Sequence, residues 1–495
     1  MQVRLLLLFV FFSFATFAQE RKIPVDTTVV TQHKTTIKGQ SVTYSATTGT
    51  QPVWDNMGQP IATLFYTYYK RTDVSNFEDR PILFSFNGGP GSASVWMHVA
   101  YTGPMILNID EEGYPVQPYG VKQNPYSILD VADIVFINPV NTGYSRMVAD
   151  AEGEYPDRDQ FFGVNEDAEY LAEWMNTFVS RNNRWQSPKY IVGESYGGTR
   201  VMGLAGQLQS NQWMYLNGVI LVSPADYEVL RQDTPVGAAL NVPYFTAAAW
   251  HHKVLDPKLQ QQDLLDILPE VEDYAVNTLI PALAKGGFLP EAERQAIAEK
   301  LEYYTSVDSK LLLQQNLRMS NAFFWKELLR DETGQTIGRL DSRYLGIDRV
   351  EVGTRPDYSP ELTSWLHSFT PAINFYLREH LNFKTDVKYN MFGSVRPWNF
   401  ENNEVREDLR QAMAANPYLK VLVQSGYYDG ATTYFQGKYT MWQIDPSGKM
   451  KDRMYFRGYR SGHMMYLRKE DLEKANDDIR EFIQNADSKN QPAKY

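Results

Sequence analysis

One short stretch constrains this chain more than any other. The β-prone run Tyr190-Ile191-Val192 stops at Gly193-Glu194-Ser195-Tyr196-Gly197, and a helix-compatible segment, Thr199 to Ala205, follows at once. A backbone that passes from strand to helix through Gly-x-Ser-x-Gly holds its serine on a strained turn, with the hydroxyl projecting into a cleft. Glycines on either side let the neighbouring backbone pack close. The pattern alone is a weak one that an ordinary glycine-rich turn also satisfies. The strand before it and the helix after it make Ser195 a candidate nucleophile.

An α/β-hydrolase places its serine, acid and histidine in that order along the chain. There are seven histidines. Val421-Leu422-Val423-Gln424-Ser425-Gly426-Tyr427-Tyr428-Asp429 is an apolar run, a glycine break and an aspartate, and only His463 lies beyond it. His463 stands in Arg460-Ser461-Gly462-His463, between the strand-like Arg453 to Arg457 and the helix-like Arg468 to Gln484. A glycine-hinged loop at a strand end is where a general base hangs. His251 and His252, in a helix-like stretch, and His367 and His380, among aromatics, read as structural. Asp226 also ends an apolar strand, Gly218 to Ala225, and stands as the alternative acid. Asp429 is preferred because the strand bearing His463 comes soon after it.

A third element supplies electrophilic help. The buried-strand pattern Pro81 to Phe86 runs into Asn87-Gly88-Gly89-Pro90-Gly91. Side-chain-free residues there expose N–H groups; Gly89 and the N–H of Tyr196, just after the nucleophile, are the expected oxyanion donors.

With these blocks quoted, the chain resembles the serine carboxypeptidases, peptidase family S10. The resemblance rests on Asn87 to Gly91, Gly193 to Gly198, the Ser425-Gly426 to Asp429 block and Gly462-His463, with Asn124 to Ser127 and Pro139 to Ser145 between them. Asn316-Leu317-Arg318 and Gly338 to Tyr344 look like its bacterial branch. The resemblance implies an α/β-hydrolase fold with a helical lid and no metal or organic cofactor. It also implies release of C-terminal residues from peptides through an acyl-enzyme on Ser195. Asn87, Gly88 and a protonated Glu194 would bind the substrate's free carboxylate. Met464, following the histidine, and Tyr101 would line the pocket of the leaving residue. Eukaryotic relatives pair the glutamate with a second one, two residues before a Gly-Pro; here that position is Tyr101, before Gly103-Pro104. The tyrosine is expected to hydrogen-bond Glu194 without adding charge. Relatives are often dimers, so a homodimer is a partner the resemblance admits. An esterase or acyltransferase would use the same triad, and a non-catalytic binding protein would not need the complete set.

Composition fits a globular enzyme. A chain of 495 residues with 43% hydrophobic content supports a large core, and a net charge of −11 argues against nucleic-acid binding. Arg4, the apolar run Leu5 to Phe12, and Thr16 and Ala18 before Gln19 read as a signal peptide over 1–18, so no membrane span is expected after its removal. With no cysteine there is neither a lipidation site nor a disulfide framework. A secreted or periplasmic bacterial protein is therefore expected. Residues 19–225 read as β hairpins followed by alternating strands and helices, and 226–385 as a helical insertion. Residues 386–495 read as the second part of the core, carrying the acid and the base.

Overall fold

The computed structural model describes residues 21–495 apart from 77, 78, 228, 231, 232, 403, 487, 489–491, 494 and 495. The signal peptide expected over 1–18 lies outside the described residues.

The runs read as buried strands become the centre of a ten-stranded sheet. Ile82–Phe86, Asp133–Ile137, Lys189–Glu194 and Gly218–Val222 are buried along their whole length, as strands covered on both faces must be. Alternate residues serve opposite faces. Leu83, Ile134, Val192 and Ile220 join one apolar cluster, which includes Leu472, Ile479 and Phe482 of the helix Lys469–Asn485. Phe84, Val135, Ile191 and Leu221 join the other, with Leu171, Trp174 and Phe178 of Val164–Arg181 and Val201 and Leu204 of Tyr196–Ser210.

The sheet runs in the order Thr27–Ile37, Gln40–Trp54, Pro60–Arg71, Asp133–Ile137, Ile82–Phe86, Lys189–Glu194, Gly218–Val222, Lys420–Gly426, Met454–Tyr459, with Arg146–Met147 off this path on Pro60–Arg71. It is antiparallel at the N-terminal end and parallel from Asp133–Ile137 onward. The first hairpins are longer than the short β runs legible in the sequence, because their alternating pattern continues through Thr- and Gln-rich stretches. In the parallel part, the C-terminal ends of neighbouring strands open on one edge, where ligands of such sheets bind.

Between Gly218–Val222 and Lys420–Gly426 the chain is mainly helical. Val242–His251, Leu264–Tyr274, Glu291–Thr305 and Asn321–Glu327 share an apolar cluster of their own. A two-stranded ribbon, Thr336–Ile337 with Leu345–Gly346, interrupts them. The helix Pro360–Phe375 packs Trp365 and Phe369 back onto the sheet's cluster.

Candidate active site

Ser195 sits at the junction of the strand Lys189–Glu194 and the helix Tyr196–Ser210 with φ 61° and ψ −124°, a strained conformation for a side-chain-bearing residue. Backbone bonds on both sides hold it there. Its N–H donates to Val222 C=O at 3.0 Å, and its C=O accepts from Gly198 N–H at 2.8 Å and Ala225 N–H at 3.0 Å. A Cβ on Gly193 would lie 1.9 Å from Gly197 C=O, so only glycine permits the turn to close. The sequence therefore folds into the sharp strand-to-helix elbow its pattern demands, with Ser195 half-buried at its apex.

Beyond Gly218–Val222, the last two strands of the sheet lead into the candidate acid and base. Asp429 follows Lys420–Gly426 and His463 follows Met454–Tyr459. The two loops are zipped together: Tyr427 N–H donates to Tyr459 C=O at 2.8 Å, and Tyr428 N–H to Ser461 C=O at 2.9 Å. His463 Nδ1 lies 2.7 Å from Asp429 Oδ2. Asp429, fully buried, also accepts from Ala431 N–H at 2.8 Å, Thr432 N–H at 3.1 Å and Thr432 Oγ1 at 2.8 Å. These donors fix the carboxylate, and the carboxylate fixes the imidazole with Nδ1–H inward and Nε2 free. Burial disfavours the imidazolium, but the charges of Asp429 and Glu194 outweigh it, and the pKa of His463 ends above its ordinary value.

Asp226, the alternative acid, is otherwise engaged. It accepts from Thr440 Oγ1 at 2.9 Å and pairs with Arg406 at 3.1 Å. Of the histidines read as structural, His252 Nε2 bonds Ser342 C=O at 2.7 Å and His367 Nδ1 bonds Thr363 C=O at 2.7 Å, while His251 and His380 pack against aromatic rings.

The glycine turn after Ile82–Phe86 lies directly against the elbow: a Cβ on Gly88 would fall 2.5 Å from the Tyr196 nitrogen. Arg200, one turn into the elbow helix, anchors it. Its Nε pairs with Asp167 at 2.7 Å, both side chains being fully buried. Its Nη1 donates to Asn87 C=O and its Nη2 to Pro90 C=O at 3.3 Å.

Ser195, His463, Asn87, Gly88, Gly89, Glu194 and Met464 line one cavity of about 190 Å³. Arg339, Leu340, Leu362 and Trp365 from the inserted helical segment complete its wall together with Trp96 and Phe392. A neighbouring cavity of about 620 Å³ shares Gly89 and Phe392 and contains Trp398 and Phe400. On the floor of the first, Asn87 Oδ1 accepts from Met97 N–H at 3.1 Å, while the buried Asn87 Nδ2 makes no hydrogen bond of good geometry yet lies close enough to Glu194 and Tyr466 to act on both. Beside it, Glu194 is pushed up to about 7, chiefly by burial and further by Asp429. His463, a hydrogen bond from Tyr466 and the Asn87 amide pull the other way.

Tyr101 differs from expectation. Its hydroxyl donates to Gln424 Oε1 at 2.6 Å rather than to Glu194, and its ring stacks on Tyr466 at 4.6 Å. The hydroxyl on Glu194 is that of Tyr466. Tyr101 thus stands behind the cavity wall, while Met464 is part of it. The spacing before Gly103-Pro104 gives a position and not a side-chain direction. Tyr466, three residues past the base, carried no motif to mark it.

A second feature escaped the sequence reading. Gly338 to Tyr344, noted only for its resemblance, is a strap across both catalytic loops. Arg339 C=O accepts from Gly430 N–H at 3.0 Å, Leu340 C=O from His463 N–H at 2.6 Å, and Tyr428 C=O from Ser342 N–H at 3.0 Å. The strap is itself held by buried Glu361, which accepts from Leu340 N–H at 2.8 Å, and by the Asp341–Arg343 pair at 2.6 Å.

Comparison with known proteins agrees with this geometry. The family model described as serine carboxypeptidase matches residues 55–467. The chain belongs to the serine carboxypeptidase family. Serine carboxypeptidase-like 36 of Arabidopsis thaliana is 26% identical over 181 residues, 36% of this chain and 35% of the relative. Vitellogenic carboxypeptidase of Aedes aegypti is 30% identical over 155 residues, 30% of this chain and 28% of the relative. The matched stretch thus spans only about a third of the length of these curated relatives. Among solved structures, a prohormone-processing carboxypeptidase from Saccharomyces cerevisiae superposes with a TM-score of 0.51 at 13% identity, over 89% of this chain and 92% of that one. The fold is that of an α/β-hydrolase. Among the described residues, no helix is long and apolar enough to cross a membrane.

Proposed function

We propose that this member of the family is a serine-type carboxypeptidase that removes C-terminal residues from peptides. One observation carries the reading. The cavity that holds Ser195 and His463 also holds the buried Asn87 amide, which makes no hydrogen bond of good geometry and is close enough to act on Glu194, a carboxyl group that stays protonated up to about pH 7. A pocket with donors and no negative charge suits a terminal carboxylate, and its small size suits a single residue.

In this mechanism the peptide lays its acyl portion along the cavity of Trp398 and Phe400 and its last residue in the cavity of Asn87 and Met464. The carbonyl carbon between them sits at Ser195. Ser195 Oγ attacks, and His463 Nε2 takes the proton while its Nδ1–H stays on Asp429. The Gly89 and Tyr196 N–H groups stabilise the oxyanion. The base then returns the proton to the departing amine, and water repeats the sequence on the acyl-enzyme. Residues 226–385 act as the lid, since Arg339, Leu340, Leu362 and Trp365 all come from them. Export to the periplasm or medium follows from the signal-like N-terminus.

Incubation with unmodified peptides, followed by mass spectrometry, tests the reading. Stepwise loss of C-terminal residues, reduced on the order of 10⁶-fold in Ser195→Ala, is expected. Internal cleavage, or turnover of esters without any C-terminal release, contradicts it.

A further inference from the structure

The leaving-residue cavity contains a cation that the mechanism does not use. Trp96, Leu362, Trp365 and Met464 give it apolar walls away from the Asn87, Glu194, Ser195 and His463 side, yet Arg339 also lines it. Arg339 is exposed, and its guanidinium makes no hydrogen bond or ion pair among the described residues. The other arginines of this region are engaged: Arg343 pairs with Asp341 at 2.6 Å, and Arg200 with Asp167 at 2.7 Å. The charge of Arg339 is near enough to reach the base, where it opposes the imidazolium of His463.

A free guanidinium on the wall of a small pocket is a planar donor for one carboxylate. The floor already offers the α-carboxylate its donors at Asn87, and Glu194 there is neutral below about pH 7. Arg339 therefore remains for a second acid. We propose that Arg339 is a specificity-determining residue that favours C-terminal glutamate or aspartate as the leaving residue. This rests on the carboxypeptidase reading. The strap positions the residue through its backbone, because it is the Arg339 carbonyl that accepts from Gly430 at 3.0 Å. Substituting the side chain leaves that bond in place.

Peptides identical except for a final Glu, Gln or Lys, assayed below pH 7 for release of the last residue, test the proposal. The native enzyme should favour Glu over Gln by about fivefold in kcat/KM, the size an exposed ion pair gives, with Lys lower still. Arg339→Gln should bring the Glu-to-Gln ratio to about one, Arg339→Lys should keep the preference, and Arg339→Glu should favour Lys. Because ratios are compared within each variant, a general loss of activity does not obscure the result. Unchanged ratios in Arg339→Glu would overturn the proposal. A uniform loss for all three peptides would also overturn it, placing the guanidinium on the α-carboxylate. Release from none of them by the native enzyme would remove the carboxypeptidase reading itself and the proposal with it.

Discussion

Glu194 precedes the nucleophile by one residue, and its carboxyl faces the pocket rather than the reacting bond. Burial is the main cause of its rise to about 7 from the ordinary 4.5. A buried acid of this kind favours the folded state fully below 4.5 and loses that contribution as pH rises through about 7. On the proposed reading the same titration would govern binding, because above about 7 an ionised Glu194 would repel a substrate carboxylate. Activity on free-acid peptides should therefore decline on the alkaline side. Glu194→Gln should flatten that limb. Tyr466→Phe removes a donor that favours the ionised form and should move the limb to higher pH. A pH–rate profile of each variant checks both, and an unaltered limb in Glu194→Gln contradicts the assignment.

The acid of the triad is a second test at this scale. Asp429→Asn should cost on the order of 10⁴-fold in kcat, since the imidazole loses its fixed tautomer. Asp226→Asn should change kcat by no more than about fivefold if the fold survives, since the Asp226 carboxylate engages Thr440 and Arg406 rather than His463. Steady-state kinetics of the two variants rank them; the reverse order would move the acid to the earlier strand. Ser195 and His463 were legible because motif and chain order leave few choices. The partner of Glu194 was not, since which hydroxyl reaches it is decided by packing: Tyr101 turns to Gln424, and Tyr466 takes its place.

Among elements, the elbow helix Tyr196–Ser210 does more than present the serine. Through Arg200 it holds the carbonyls of Asn87 and Pro90, and so the glycine turn proposed to supply the oxyanion donors, against the elbow. The Asp167–Arg200 pair is completely buried, so removing one partner should destabilise the protein by about 3–5 kcal/mol. Arg200→Met should show that loss in denaturant unfolding. Arg200→Met with Asp167→Leu should recover much of the stability without recovering kcat, because the carbonyls of Asn87 and Pro90 then lose their link to the elbow helix. Full recovery of kcat in the double variant would deny Arg200 its positioning role. Helices such as Val164–Arg181 and strands such as Gly218–Val222 were legible from periodicity. The strap from Gly338 to Tyr344 was not. Its work is done by backbone carbonyls on distant loops, which leave no trace in side-chain pattern.

At the scale of the molecule, a parallel sheet brings the ends of four adjacent strands, Lys189–Glu194, Gly218–Val222, Lys420–Gly426 and Met454–Tyr459, to a common edge. That topology unites Ser195, Asp429 and His463, and the order of motifs along the chain is enough to anticipate it. The cavity is another matter. Part of its wall, including Arg339, Leu340, Leu362 and Trp365, arrives from the mainly helical segment inserted between Gly218–Val222 and Lys420–Gly426, whose sequence says only that it is helical. On the carboxypeptidase reading proposed above, this segment and the glycine turn jointly form the end of the site beyond the scissile bond, where the carboxylate would sit. The most direct test is kcat/KM for one peptide with a free C-terminus and for the same peptide amidated, measured below pH 7. The account predicts a preference of about 30-fold or more for the free acid, the worth of charge-assisted hydrogen bonds lost in the amide. Equal cleavage of the two would contradict it.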